Sequence, residues 1–224
     1  MTLANLITLS RAYIPGAKAT VITDDVLKLI INSAVIDIAA YTRCLKKNKK
    51  FAVVADQSEY NLSSVIGDYL VADKPGLWWN DGDQWMPLGA STLALLDKDR
   101  PIWRDEDSGD PEEYSINGDV LTTVPAPDTS LVDGFWLYYG GKPVDMVSND
   151  QYPFTGSTTE YTHLSIFDWC IIKFVAWKVN PMLNKDQDAT IFKVEYEQER
   201  EEKFIIFKSR PDISKDARMI GLGG

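Results

Sequence analysis

The sequence predicts an α+β protein in which helices from both chain ends form one bundle around an inserted antiparallel β module. Helical periodicity occurs near both ends, strand-like runs occupy the middle third, and the formal charge differs sharply between these regions. The net charge is +5 over residues 1–50, −14 over residues 51–156 and −1 over residues 157–224. We therefore predict a helical domain at 1–50 and 157–207, a β domain at 51–156 and an extended C-terminal arm at 208–224.

Two helices are predicted before the β module. The first covers residues 3–12 and ends before Pro15 and Gly16, which break helices. The second covers about 24–47, with Thr23 as its N-cap and apolar side chains at helical spacing behind it. Four lysines are expected at the negative end of its dipole: Lys46, Lys47, Lys49 and Lys50.

The β module is predicted from short runs of aromatic and β-branched residues. The clearest signal is Asn117-Gly118, which separates the runs 114–116 and 120–124 and is typical of a hairpin turn. Further strands are expected at 51–54, 69–72 and 134–139.

The chain returns to helical periodicity after residue 156. Ser157 and Glu160 have the spacing of a capping box, so we expect a helix to begin there and to end at Asn180-Pro181. A third long helix is expected from about Asp186 to Phe204, with alternating Glu and Lys or Arg residues on its solvated face.

The residue inventory argues against an enzyme, a metal site or a bound cofactor. His163 is the single histidine, no phosphate-binding glycine loop occurs, and Cys44 and Cys170 lie in apolar stretches where buried free thiols are expected. The carboxylates of residues 105–113 are interpreted as a solvated acidic loop, although a calcium site or an acid/base pair stays open. No run is long enough for a membrane span, and Met1–Ile14 does not resemble a signal peptide, so synthesis in the cytoplasm is expected.

Tryptophans concentrate in the predicted β module. Trp78, Trp79, Trp85, Trp103 and Trp136 either fill the core of a small sheet or form an exposed binding surface. Core packing is the preferred interpretation. If the surface interpretation holds, Trp78 and Trp79 are the candidates for contact with another protein or a glycan.

The C-terminal arm mixes basic and apolar side chains. It is either a frayed terminus or a segment that orders by docking on a neighbouring protein, and we favour docking. The candidate partner-binding residues are Arg210, Ile213, Arg218, Met219, Ile220 and Leu222.

Several stretches together resemble the bacteriophage head-to-tail adaptor family, known from short-tailed phages. They follow the expected order over about residues 3–207. They are Arg11–Gly16, Thr23–Leu27, Ile31–Ala34, Ala55–Leu62, Tyr114–Leu121, Val124–Pro127, Trp136–Tyr139 and Glu195–Glu197.

The resemblance implies a structural protein of the virion neck or tail. It implies a homo-oligomeric ring, expected to be a dodecamer, bound under the portal protein and joined to a tail or nozzle protein, with the arm 208–224 on the portal. The genome would pass through the ring channel without specific binding, which agrees with a net charge of −10. The +5 and −14 segments would offer complementary faces to neighbouring copies. Two other hypotheses stay open: a glycan- or receptor-binding virion protein that uses the tryptophans, and a glycosidase that uses acidic pairs.

Overall fold

The computed structural model describes residues 1–210, except for the side chains of residues 74 and 75. It confirms the predicted α+β class, with helices toward both chain ends and mostly antiparallel sheets between them. The chain divides into two compact units. The helical unit contains Met1–Thr42 and the described chain from Pro143 to Arg210, and the β unit contains Arg43–Lys142.

The helical unit is built around its third helix. Its helices are α1 (Leu3–Tyr13), α2 (Asp24–Thr42), α5 (Asp168–Val179) and α6 (Asp186–Lys208). α5 contacts each of the other three. Its inward side chains are fully buried, and removing that apolar surface from water is what holds helices from distant parts of the chain together. These side chains include Ile171, Ile172, Val175 and Val179.

Helix α2 ends earlier than predicted, and the prediction for its lysines was wrong. The helix stops at Thr42, and Arg43 adopts a positive φ of 51°, which turns the chain out of the helix. The lysines lie instead on strand β1 (Lys46–Val53), which pairs with a strand almost ninety residues later. Pairing between distant segments outweighs the helical charge pattern here, because local propensity is a weak preference. The predicted cap is confirmed, since the Thr23 hydroxyl accepts a hydrogen bond from the Val26 amide at 3.4 Å.

The predicted capping box at Ser157 and Glu160 was also wrong. The Ser157 hydroxyl accepts from the Thr159 amide at 3.2 Å, and Ser157 forms an isolated bridge with Tyr152. A 3-10 helix at Thr162–Phe167 leads into α5 instead.

Helix α6 ends later than predicted. It continues to Lys208, beyond the predicted end at Phe204, because Phe207 is buried and its ring lies 5.9 Å from that of Phe167.

The β unit contains two four-stranded sheets. The first sheet has the order β1–β8–β3–β4, formed by Lys46–Val53, Leu131–Gly141, Tyr69–Asn80 and Trp85–Pro87. The second sheet has the order β2–β7–β6–β5, formed by Glu59–Asn61, Val120–Val124, Glu113–Asn117 and Gly89–Ala90. The predicted hairpin is confirmed in β6 and β7, with Gly118 at a φ of 60°. Only the short β5 pairs in parallel among the strands of this unit that the structure describes.

The two sheets of the β unit pack face to face. Their shared core contains Phe135, Leu137 and Trp79 from the first sheet, and Tyr60 and Leu121 from the second. Two short helices complete the unit, α3 (Leu62–Ile66) and α4 (Leu93–Asp99). Within residues 1–210, no helix is both long and apolar enough to cross a bilayer.

Candidate interaction surfaces

The outward side of the first sheet presents aromatic rings beside lysines. Successive residues of a strand point to opposite sides, so the burial of Phe135 and Leu137 turns Trp136 and Tyr138 outward. Trp136 lies opposite Lys50 on one neighbouring strand and opposite Trp78 on the other. We call this the aromatic–lysine face, and it consists of Lys46, Asn48, Lys50, Trp78, Trp85, Trp136 and Tyr138.

Side chains of the aromatic–lysine face hold one another in place. The Lys50 ammonium lies 4.7 Å from the centre of the Trp85 ring and 5.4 Å from that of Trp136, within the range of cation–π attraction. The Trp136 ring lies 5.6 Å from Trp85 and 4.9 Å from Tyr138, and its indole N–H donates to the Asn48 side-chain oxygen at 3.1 Å. Partial burial raises the pKa of Tyr138. A partner would therefore meet side chains that are already ordered, which lowers the entropy cost of binding.

The opposite side of the β unit is covered by residues 93–113, which we call the acidic segment. Val124 points away from the shared core, yet it is fully buried because Leu96 and Trp103 pack over it. The acidic segment therefore lies on the outward side of the second sheet. It carries eight carboxylates and three basic side chains, a net charge of −5. Two of its apolar side chains face solvent, Leu95 at 47% and Ile102 at 73% exposure.

Arg100 holds the carboxylates of the acidic segment together. Its guanidinium donates to Glu106 at 2.6 Å and to Glu112 at 3.0 Å, and it lies 3.8 Å from Glu113. Burial lowers the pKa of Arg100, but Glu106 and Glu112 raise it above its ordinary value. A second ion pair, between Arg104 and Asp97, lies nearby. The hydrogen bond from Arg104 lowers the pKa of Asp97 most, and the hydrogen bond from Trp103 lowers it further. Among residues 1–210, no group of three or more His, Cys, Asp or Glu side chains is placed to hold a metal ion.

His163 and Cys170, two side chains that a nucleophilic site could use, lie in different surroundings. His163 is exposed, its ring stacks on Phe207 at 6.5 Å, and its carbonyl oxygen accepts a hydrogen bond from Arg210 at 3.0 Å. Cys170 is fully buried in α5, and this burial raises the pKa of its thiol to about 12. The thiol is therefore protonated and shielded at neutral pH.

The sequence-predicted site residues are found in different surroundings. Trp79 is 1% exposed, and its ring contacts Phe135 in the core of the β unit at 5.4 Å. Trp78 is half-buried on the aromatic–lysine face. Arg210 is the last described residue. The other candidates on the arm lie outside the described residues: Ile213, Arg218, Met219, Ile220 and Leu222.

Sequence reasoning missed the aromatic–lysine face. A signal was present, because Lys46, Asn48 and Lys50 alternate with period two, as do Trp136 and Tyr138. The helix predicted over about 24–47 hides this signal, because it includes residues 46–47.

Helix α6 presents a further surface in the helical unit. Its inward side chains include Tyr196 and Phe207. Its outward side is acidic, with Glu197, Glu201 and Glu202 exposed. Four large apolar side chains are also left in water there, namely Ile191, Val194, Ile205 and Ile206. Ile191 and Val194 lie near one end of the helix and Ile205 and Ile206 near the other, and neighbouring apolar side chains left in water are candidates for contact with another protein.

Comparison with known proteins identifies a family. A family model described as SU10 adaptor protein matches residues 1–218 of the chain. No curated protein matches the chain.

Proposed function

This chain belongs to the SU10 adaptor protein family, and we propose that it is a structural subunit of a bacteriophage virion that joins the head to the tail. The observation that carries this proposal is the extent of the family match. Residues 1–218 include both the helical unit and the β unit, so the likeness covers the whole architecture and not one small module. This role requires no catalytic site, and the subunit would lie in the neck or tail of the virion.

In the proposed role, identical copies form a ring under the portal protein, with twelve copies expected, and this ring carries a tail or nozzle protein. Each contact in such a ring joins two different surfaces of the same chain. The exposed apolar side chains of α6, Ile191 and Ile205 among them, support a role for the helical unit in these contacts. A single subunit in solution leaves them in water, and burial against a neighbour would be favourable.

The proposed ring surrounds the genome without binding it specifically. The formal charge of −10 supports this, because a protein that grips DNA neutralises phosphates with lysine and arginine. DNA would slide past an anionic lining, since like charges repel.

The arm at 208–224 is proposed to dock on the portal. Its basic and apolar side chains suit a segment that orders on a partner: Arg210, Ile213, Arg218, Met219, Ile220 and Leu222.

Electron microscopy of the purified chain mixed with the portal protein of the same virion tests the proposal. We expect portal particles capped by a second ring. A matched variant that ends after Arg210 should keep the circular dichroism spectrum of the full chain and lose portal binding. A full-length chain that leaves the portal bare would overturn the proposal, as would virions that join capsid to tail without this protein.

A further inference from the structure

We propose that the aromatic–lysine face of one copy packs against the acidic segment of the next copy in the ring. The occupant of the face is thus a second copy of this chain. This inference rests on the proposed function, because it names a contact that builds the ring.

The positions of the two surfaces support a head-to-tail contact. The aromatic–lysine face lies on the outward side of the first sheet, opposite the buried Phe135 and Leu137. The acidic segment lies on the outward side of the second sheet, where Leu96 and Trp103 cover Val124. The two sheets pack through their inward sides, so these surfaces are on opposite sides of one β unit. A ring subunit needs this arrangement, because each copy must offer different surfaces to the copies before and after it.

The charges of the two surfaces are complementary. Strand β1 carries four lysines and no carboxylate, whereas the acidic segment has a net charge of −5. Lys46 and Lys50 stand on the same side of the sheet as the aromatic rings, by the alternation of β1. Opposite charges across an interface fix its register and speed association.

Each surface also supplies apolar area. Trp85, Trp136 and Tyr138 are half-buried in the isolated subunit, and Leu95 and Ile102 face solvent. Aromatic anchors that meet aliphatic side chains inside a charged rim are typical of protein interfaces. Ile102 is more exposed than Leu95 and is the natural counterpart for the rings.

Protection of a sheet edge and binding of nucleic acid both fit the aromatic–lysine face less well than a second copy does. Lysines on an edge strand prevent unwanted strand pairing, but this role does not require aromatic rings on the other three strands of the sheet. Nucleic acid would be a poor occupant, because residues 43–142 carry ten basic and seventeen acidic side chains.

Cysteine cross-linking on the portal tests the contact. Asn48→Cys and Ile102→Cys are combined in one chain, assembled on the portal and treated with a short bismaleimide. We expect the double variant to give ladders of covalent oligomers and each single variant to stay monomeric on denaturing gels. The single variants also control for cross-linking through the buried Cys44 and Cys170. The matched control replaces Asn48→Cys with Glu59→Cys, an exposed position on the second sheet, and should give no ladder.

Charge reversal provides a second measurement. Lys46→Glu with Lys50→Glu should raise the chain concentration for half-maximal ring formation about ten-fold. Adding Asp105→Lys and Asp107→Lys to the same chain should restore assembly, because the reversed surfaces match again. Lys18→Glu with Lys142→Glu changes the net charge equally and should leave assembly unchanged.

Two outcomes separate this inference from the proposed function. If rings form on the portal without the 48–102 cross-link and tolerate the charge reversal, the inference is overturned while the proposed function stands. A chain that never joins the portal overturns both. The parent chain could instead retard a DNA duplex or be retained on immobilised glycan. If the Lys46→Glu, Lys50→Glu variant lost that binding, the face would belong to another occupant and the inference would be overturned.

Discussion

Lys173 on α5 and Glu199 on α6 form an ion pair in which the ammonium nitrogen lies 2.9 Å from a carboxylate oxygen. Lys203, one turn further along α6, lies 3.0 Å from the other oxygen. Burial alone would raise the pKa of Glu199, but hydrogen bonds from both lysines hold it below its ordinary value. The carboxylate therefore stabilises the packing of α6 on α5 while it is ionised.

Replacing Glu199 by glutamine should make the helical unit less stable at neutral pH and less sensitive to acid. A carboxyl whose folded pKa is lowered contributes stability above its unfolded pKa of about 4.3, and this stability is lost as pH falls through the folded value. We expect the free energy of unfolding to fall by about 1–2 kcal/mol at pH 7, and the difference from the parent to shrink in acid. Urea unfolding followed by circular dichroism, at pH 7 and at an acidic pH, measures this difference in unfolding free energy.

Glu197→Gln is the matched control on the same helix. Glu197 lies 3.9 Å from Lys193, and both side chains are about half exposed. Such pairs contribute less than about 0.5 kcal/mol, so this variant should unfold like the parent. Equal losses in the two variants would contradict a specific role for the Lys173–Glu199 pair.

Trp79 and Trp136 should respond differently to truncation, although both lie in the first sheet. Trp79→Ala removes a ring that is 1% exposed from the core of the β unit, and should cost about 3–5 kcal/mol. Trp136→Ala trims the half-buried outward side and should cost much less. Thermal unfolding of both variants, monitored by near-ultraviolet circular dichroism, checks the order. A larger loss for Trp136→Ala would show that the two sides of the sheet are wrongly assigned.

The sequence predicted those elements whose signals are local. The Asn117-Gly118 turn specifies its own hairpin, because few residues other than glycine accept a positive φ there. Likewise, α6 is recognisable from charge and apolar spacing within one segment. Neither prediction needs knowledge of a distant part of the chain.

Predictions failed where a distant partner decides the structure. Residues 46–50 become a strand because Leu131–Gly141 offers hydrogen bonds, and their lysine-rich composition does not reveal that pairing. Trp78 and Trp79 are neighbours in sequence, and only the register with β8 shows which of them points into the core. The aromatic–lysine face joins four strands, so its membership could not be predicted from any single segment.

Gly76 should tolerate no side chain. Its φ is 84°, and an added Cβ would lie 1.9 Å from the hydroxyl oxygen of Tyr114. Gly76→Ala therefore combines backbone strain with displacement of a buried phenol. Gly82→Ala is the control, because its φ is 105° while nothing lies within 4 Å of the added carbon. Backbone strain of about 1–2 kcal/mol should appear in both variants, with a further loss in Gly76→Ala. Equal unfolding midpoints in urea would contradict the close approach of Tyr114.

Arg100 should control the order of the acidic segment. Its guanidinium lies against Glu106, Glu112 and Glu113, so Arg100→Ala leaves three carboxylates to repel one another with their shared cation gone. We expect faster amide hydrogen exchange across residues 100–113, and partial recovery in high salt, which screens like charges. Arg104→Ala is the matched control, because Arg104 is 57% exposed, forms an ion pair with one carboxylate, that of Asp97, and stacks on the Trp103 ring. If exchange accelerated equally in both variants, the three-carboxylate contact would not be what orders the segment. If Arg100→Ala left exchange unchanged, apolar packing of Leu96 and Trp103 would suffice to hold it.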